Sequence, residues 1–257
     1  MAEAVQPESY VTDAFLGGRL LLRQPIDGHR SGTDAVLLAA AAPGTFSGLA
    51  IDAGSGVGAA GLALAMARPG LRVGLLENDP SLARLARENL LQNGLADRGY
   101  IVEADLLSPA SRRAAGLVDG SAGLVISNPP FLDPGRARLS PDALRRRAHA
   151  MPAPGPAALA AWIAAALALV APGGLFILIH RPDAVPVILE ALAARTGGIT
   201  VLPVYPRRGA NAVRVLVRGK KGSRAPFVIS PPLILHDGQG FTPDAEAIHR
   251  GALLIDW

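Results

Sequence analysis

The chain has 257 residues, 50% hydrophobic and 18% charged, with a formal net charge of +4 and no cysteine. This suits one α/β domain with at most a small attachment, and it excludes a disordered chain or a disulfide framework. Without cysteine there is no thiolate-held metal, and the composition fits a reducing compartment.

The first 18 residues, MAEAVQPESYVTDAFLGG, carry acids and no apolar stretch, so they do not read as a secretory signal. Residues 34–42 read as a short helix with Ser31 or Thr33 near its start. Residues 49–53 form the first core strand, and a glycine turn opens a helix over 57–67. A strand at Leu71–Glu77 is followed by a helix at Pro80–Gln92, with proline in its first turn and Asn93-Gly94 closing it. Strands follow at 100–103 and 123–127. The alanine-rich run beyond residue 155 is the most apolar part of the chain. It is shorter than the ~20 residues a bilayer span needs, so 156–171 reads as a buried helix and no membrane partner is expected. A strand at 175–180, a helix at 182–195 and a strand pair at 199–204 and 212–217 close the sheet. A short strand at 233–235 and a helix at 243–254 capped by Thr242 end the series.

Buried strands alternating with helices predict an α/β fold, a mostly parallel sheet with helices on both faces. Residues 1–45 are expected as an N-terminal segment whose short helix caps the site, and 46–257 as the main domain. Ligands in such folds bind at the carboxyl ends of the strands. Asp52, Glu77, Asp105 and Asn128 fall at or just after four successive strand ends, which gathers four polar positions on one rim.

The first βα turn is D-A-G-S-G-V-G, Asp52 to Gly58. Glycines at 54, 56 and 58 let a ligand approach the backbone. A carboxylate two residues before the first glycine repels a pyrophosphate and suits a cationic ligand. S-adenosylmethionine (SAM), with an ammonium, a sulfonium and no phosphate, therefore fits better than NAD. Glu77 can accept from two ribose hydroxyls. Asp105 either accepts from the adenine amine or caps a turn. Ser55, Gly56, Asn78, Leu106 and Asn128 complete the expected cofactor set.

The fourth strand runs into I-S-N-P-P-F, Ile126 to Phe131. A planar NH2 on a base or amide is a poor nucleophile because its lone pair is delocalised. Two acceptors aimed at its N–H groups draw it toward tetrahedral geometry and stabilise the developing positive charge. Asn128 can offer its side-chain oxygen and Pro129 its carbonyl. Pro129 and Pro130 stiffen the corner, and Phe131 offers a stacking face. These four are the candidate catalytic residues. Methyl transfer from SAM needs no metal, and no His/Asp/Glu spacing suggests one. Two basic groups flank this corner. One is Arg136, Arg138 and Arg145 to Arg147; the other holds Arg207, Arg208, Arg214, Arg218, Lys220, Lys221 and Arg224 without an acid. Together they favour a polyanionic partner. His29 and Arg30, before the first helix, either face an acceptor or phosphate or lie in an exposed loop. Trp162 reads as core.

The glycine turn together with Asn128-Pro129-Pro130-Phe131 resembles the class I SAM-dependent methyltransferases that modify amino nitrogens, with their Rossmann-like, seven-stranded fold. The stretch from Gln24 to Ala40, QPIDGHRSGTDAVLLAA, and the tail from Leu233 to Arg250 are similar to the bacterial tRNA1(Val) adenine-37 N6-methyltransferase family. The resemblance covers nearly the whole chain from Asp13. It implies SAM as cofactor, S-adenosylhomocysteine as product, an adenine of a tRNA anticodon loop as acceptor, and cytoplasmic action. It places Asp52, Gly54 and Gly56 at the methionine end of SAM, Glu77 at the ribose and Asp105 at the adenine. Phe131 stands where tyrosine is more usual. Guanine N2 in ribosomal RNA and glutamine N5 in a protein present the same planar amine and are the alternatives. A binding module without chemistry and an NAD-dependent oxidoreductase are the remaining rivals.

Overall fold

The structure is a computed structural model that describes residues 10–26, 30–129 and 155–257. Strands β1 (Tyr10–Phe15) and β2 (Leu20–Pro25) form an antiparallel hairpin. Helix α1 (Thr33–Ala40) leads into the alternating core: β3 (Gly48–Ala53), α2 (Ala59–Ala67), β4 (Leu71–Glu77), α3 (Pro80–Gln92), β5 (Gly99–Glu103), α4 (Pro109–Ala114) and β6 (Ala122–Ser127). After residue 154 come α5 (Pro156–Leu169), β7 (Val170–His180), α6 (Val185–Ala193), β8 (Thr196–Tyr205) and β9 (Arg214–Lys221). Four two-residue strands follow: β10 (Val228–Ile229), β11 (Leu233–Ile234), β12 (His236–Asp237) and β13 (Gly240–Phe241). The last element is α7 (Pro243–His249).

Among the described residues the main sheet runs β10-β8-β9-β7-β6-β3-β4-β5, with β11 also on β8. The pairs β3–β4, β4–β5, β3–β6 and β6–β7 are parallel, and β9 runs against both β7 and β8. The seven long strands therefore give a mostly parallel sheet with one reversed member. From β3 the chain builds outward to β4 and β5, then returns to β6 on the other side. This makes a topological switch point between β3 and β6, where such sheets open a crevice.

Side-chain alternation divides the core between two faces. Leu124 and Ile126 of β6 join Leu38 of α1, Leu62 of α2 and Leu90 of α3 on one side. Val125 joins Ile163 of α5 and Leu192 of α6 on the other. Helices thus cover both faces, and Ala35 to Ala40 of α1 belong to the packed core.

The sequence reading placed no element on β1, β2 or α4. It carried α1, α5, α6 and α7 too far at their C-terminal ends, and for two of them the cause is plain. Helix α5 stops at Leu169 because the chain turns extended at Val170, with β7 bulging between Val170 and Leu175 opposite β6. Helix α7 ends at His249 because Gly251 adopts a left-handed φ of 65°, and Ala252 N–H closes on the Ala247 carbonyl at 2.8 Å.

Candidate active site

The glycine turn is pinned to the end of β4. The N–H groups of Gly54 and Ser55 both donate to the Leu76 carbonyl at 2.9 Å. Gly54 and Gly56 have φ of 74° and 57°, a region that costs any residue with a Cβ. Their surroundings differ. A Cβ on Gly54 would come within 2.6 Å of the Trp162 ring, whereas one on Gly56 would meet nothing within 4 Å. Gly54 is thus packed from behind, and Gly56 faces open space.

Two acids close this turn. Asp52 is 2% exposed, and its Oδ2 accepts from Gly61 N–H of α2 at 2.8 Å. Burial first, and the nearby Glu77 charge as well, push its carboxyl up to about 7 against the opposing pull of the Gly61 bond. Glu77 is also buried. Its Oε2 accepts from Gly56 N–H at 2.8 Å, and its Oε1 from the N–H groups of Asn78 and Asp79 at 2.9 Å each. Desolvation raises Glu77 as well, although three backbone donors oppose the shift. A buried acid pair without a cation is electrostatically incomplete, and a ligand with positive charge would complete it.

Asp105 follows β5, with its Oδ1 accepting from Leu107 N–H at 2.8 Å and its own N–H donating to Ser111 Oγ at 3.0 Å. Half of the carboxylate therefore serves as a turn cap. Leu106 is buried beside it, and Asn78 is exposed.

At the end of β6, Ser127 is fully buried and its hydroxyl donates to the Ala53 carbonyl at 2.7 Å. Asn128 follows with a buried Oδ1 that has no hydrogen-bond partner among the described residues, and Pro129 is buried as well. Ser55 Oγ is buried and unpartnered too. Buried polar atoms are nearly always paired, so two orphans at adjoining strand ends mark a place built for something else to bind. Ser55 Oγ, the acid pair and the open space over Gly56 fit the polar, cationic end of SAM. Pro130, Phe131 and Arg136 lie outside the described residues, as does His29.

The methyltransferase small domain family matches residues 29–146. A solved structure of a predicted O-methyltransferase from Agrobacterium tumefaciens is 32% identical. It covers 86% of this chain and 98% of its own, at a TM-score of 0.72. The chain belongs to the SAM-dependent methyltransferases. Among curated relatives, a tRNA1(Val) (adenine(37)-N6)-methyltransferase of Erwinia tasmaniensis is 36% identical over 43% of this chain and 44% of its own length. A release factor glutamine methyltransferase of Chlorobaculum tepidum is 35% identical over 32% of this chain and 27% of its own. The chain thus matches less than half the length of these curated relatives.

Two positions in this methyltransferase escaped the sequence reading as site residues. Trp162, read as plain core, is only half-buried and lies against Gly54. Its Nε1–H donates to Ser127 Oγ at 2.9 Å. Asn89 is wholly buried on α3, and its Nδ2 donates to the carbonyls of Val57, in the glycine turn, and Arg23, in β2, at 3.0 Å each. Its Oδ1 accepts from Arg23 N–H at 2.7 Å. The available signal was an asparagine among Leu85, Ala86 and Leu90 on the apolar stripe, a residue type that is buried only when satisfied.

The basic positions of the methyltransferase separate. Arg207 and Arg208 are exposed just past β8, at the site end of the sheet, and Arg207 donates to the Gly238 carbonyl. Arg30 is bound to Asp13 at 2.6 Å. Lys220 and Lys221 depart from expectation. Strand β9 is antiparallel to β7, and Lys220 pairs with Leu175 near the start of β7, so both lysines sit toward the end of the sheet away from Asn128. Lys221 Nζ donates to the carbonyls of Leu167 and Val170 at 2.9 and 2.6 Å, capping the end of α5. Among the described residues, no helix is long and apolar enough to cross a membrane.

Proposed function

We propose that this chain is a cytoplasmic SAM-dependent N-methyltransferase whose acceptor is a planar exocyclic amine, adenine N6 in the anticodon loop of a tRNA. The observation that carries the reading is the buried, unpartnered Oδ1 of Asn128 at the end of β6. A buried amide oxygen without a donor is costly, and an incoming N–H removes that cost. A hydroxyl acceptor offers one hydrogen, whereas an NH2 offers two, to Asn128 Oδ1 and to the Pro129 carbonyl. The names of the curated relatives, adenine-N6 and glutamine methyltransferases, both describe amino acceptors.

SAM when bound supplies an electrophilic methyl group on a sulfonium. Asp52 and Ser55 would hold its ammonium and carboxylate end, Glu77 its ribose, and Asp105 with Leu106 its adenine. Glu77 already accepts three backbone bonds, so a bidentate ribose contact requires it to release one of them. Asn128 and Pro129 grip the amine and align its lone pair, and Phe131 stacks on the base. The N-terminal segment through helix α1 caps the site in this reading. Positioning and charge complementarity supply most of the rate, and the product ammonium loses its proton to solvent.

The 35% identity to a release factor glutamine methyltransferase favours one second reading, a protein glutamine amide as acceptor. Methyl-labelled SAM, given with an unmodified tRNA1(Val) transcript, ribosomal subunits or release factors in separate reactions, distinguishes the two. Label in N6-methyladenosine from the tRNA supports the proposal. Label confined to release factor overturns the RNA assignment and keeps the amine grip. Label in a hydroxyl ether overturns the grip itself.

A further inference from the structure

Trp162 stands on α5, outside every motif that the proposed function uses. Two of its contacts reach the segments of that site. The six-membered edge of its indole lies against Gly54, so closely that Cζ2 and Cη2 fall 2.6 and 2.8 Å from where a Cβ would be. Its Nε1–H donates to Ser127 Oγ at 2.9 Å, and Ser127 Oγ donates to the Ala53 carbonyl at 2.7 Å. Ala53 and Ser127 are register partners across the β3–β6 pair. Ala53 immediately precedes the glycine turn, and Ser127 immediately precedes Asn128.

We propose that Trp162 is a positioning residue that sets the glycine turn and the Asn128-Pro129 corner in one fixed relation. This rests on the SAM-dependent amine methylation argued above. A side chain that only filled volume would need no N–H. The indole N–H engages the one hydroxyl that bridges the two strand ends. With its proton committed to Ala53 and a lone pair committed to Trp162, Ser127 is held in a single rotamer. The ring, meanwhile, supports the turn from behind at Gly54. The donor turn and the acceptor clamp then move together or not at all, and a small misplacement between them is expensive in rate.

Three single variants, the double variant Ser127→Ala with Trp162→Phe, and one spectroscopic reading test this. Ser127→Ala breaks the bridge and leaves the ring in place. It is expected to lower kcat about ten-fold or more while the SAM Kd stays within about three-fold. Ser127→Thr, which keeps the hydroxyl, should restore most of the turnover. Trp162→Phe removes the N–H and retracts the ring edge, so it should lower kcat and also weaken SAM binding. The kcat of the double variant should be no worse than that of Trp162→Phe, because both act through one bridge. In a Trp257→Phe background Trp162 is the single tryptophan, and S-adenosylhomocysteine should shift its emission. Full kcat in Ser127→Ala, multiplied losses in the double variant, or unchanged emission on calorimetrically verified binding would each overturn the role of Trp162. If the unaltered protein failed to bind SAM or its product by calorimetry, the functional reading would fall first and the proposal with it.

Discussion

At the scale of single residues, Asn128 and Asp52 are two site side chains whose environments are incomplete. Asn128→Ala removes the orphan oxygen and leaves the glycine turn untouched. SAM affinity should stay within a few-fold while turnover falls by about 10²–10³, as is typical when one preorganised polar group is lost. A matching collapse of SAM binding would assign Asn128 to the cofactor. For Asp52 the sign follows from its raised carboxyl. Between its unfolded value, 3.8, and about 7 the folded chain keeps a proton that the unfolded chain has lost, so folding stability falls as pH rises through that window. Asp52→Asn retains an acceptor for Gly61 N–H and carries no charge. It should be more stable than the unaltered, ligand-free protein at pH 8 by up to a few kcal/mol, and gain far less at pH 4. Urea denaturation at both pH values measures this, and equal gains at both would mean that Asp52 is not held protonated. A cationic ligand should favour the carboxylate, so binding of SAM near pH 6.5 should release protons, visible by calorimetry in buffers of different ionisation enthalpy.

At the scale of elements, legibility followed local chemistry. Helix α3 was readable to the residue because Pro80 stands at its first position and Asp79 caps it, accepting from Ser81 N–H at 2.8 Å. The glycine turn and the Asn128 corner were legible for a similar reason, since each is a short contiguous run with a distinctive backbone demand. The β1–β2 hairpin was not. Its closing turn, Leu16 to Gly18, includes a left-handed Leu16, and its strands are held by distant partners rather than by their own pattern. Trp162 does pack against the core, but its bond to Ser127, 35 residues earlier in the chain, was not legible. One distant partner of the hairpin is Asn89, and the mutation Asn89→Ala should expose its importance. It strands Arg23 N–H and the carbonyls of Arg23 and Val57, so a loss of about 2–4 kcal/mol is expected by chemical denaturation. SAM affinity should drop with it, because Val57 belongs to the glycine turn. A neutral substitution would mean that hairpin and turn stand independently.

At the scale of the whole molecule, the sheet has a chemical polarity. The carboxyl ends of β3, β4 and β6 carry Asp52, Glu77 and Asn128, while the far end of β9 carries Lys220 and Lys221, the second of which caps a helix. A linear run of basic residues cannot reveal this, because the antiparallel turn of β9 sends its two ends to opposite sides of the sheet. The mostly parallel sheet followed from alternating patterns and buried runs, whereas this reversal of charge depends on strand direction. If RNA docks on the site end, Arg208→Glu should weaken RNA binding and reduce the slope of log K against log salt by about one. Lys220→Glu should do neither. Titrations of a tRNA transcript at several salt concentrations compare them, and equal effects would spread the RNA footprint over the base of the sheet.

Asn89 and Asn93 also have a bearing on solubility. On the side of β2 facing away from β1, the N–H and C=O of Leu21 are taken by Asn93, and those of Arg23 by Asn89. Two helical amides thus stand in for the strand that would otherwise be missing. An open edge of this kind is a template on which another chain can add itself as a strand, and natural proteins take pains to cover it. Here the cover comes from the carboxamide of Asn89 on α3 and that of Asn93 just past its end. Losing both would turn a two-stranded ribbon into a surface for chain-to-chain pairing, and slow self-association would accompany any loss of methyl transfer.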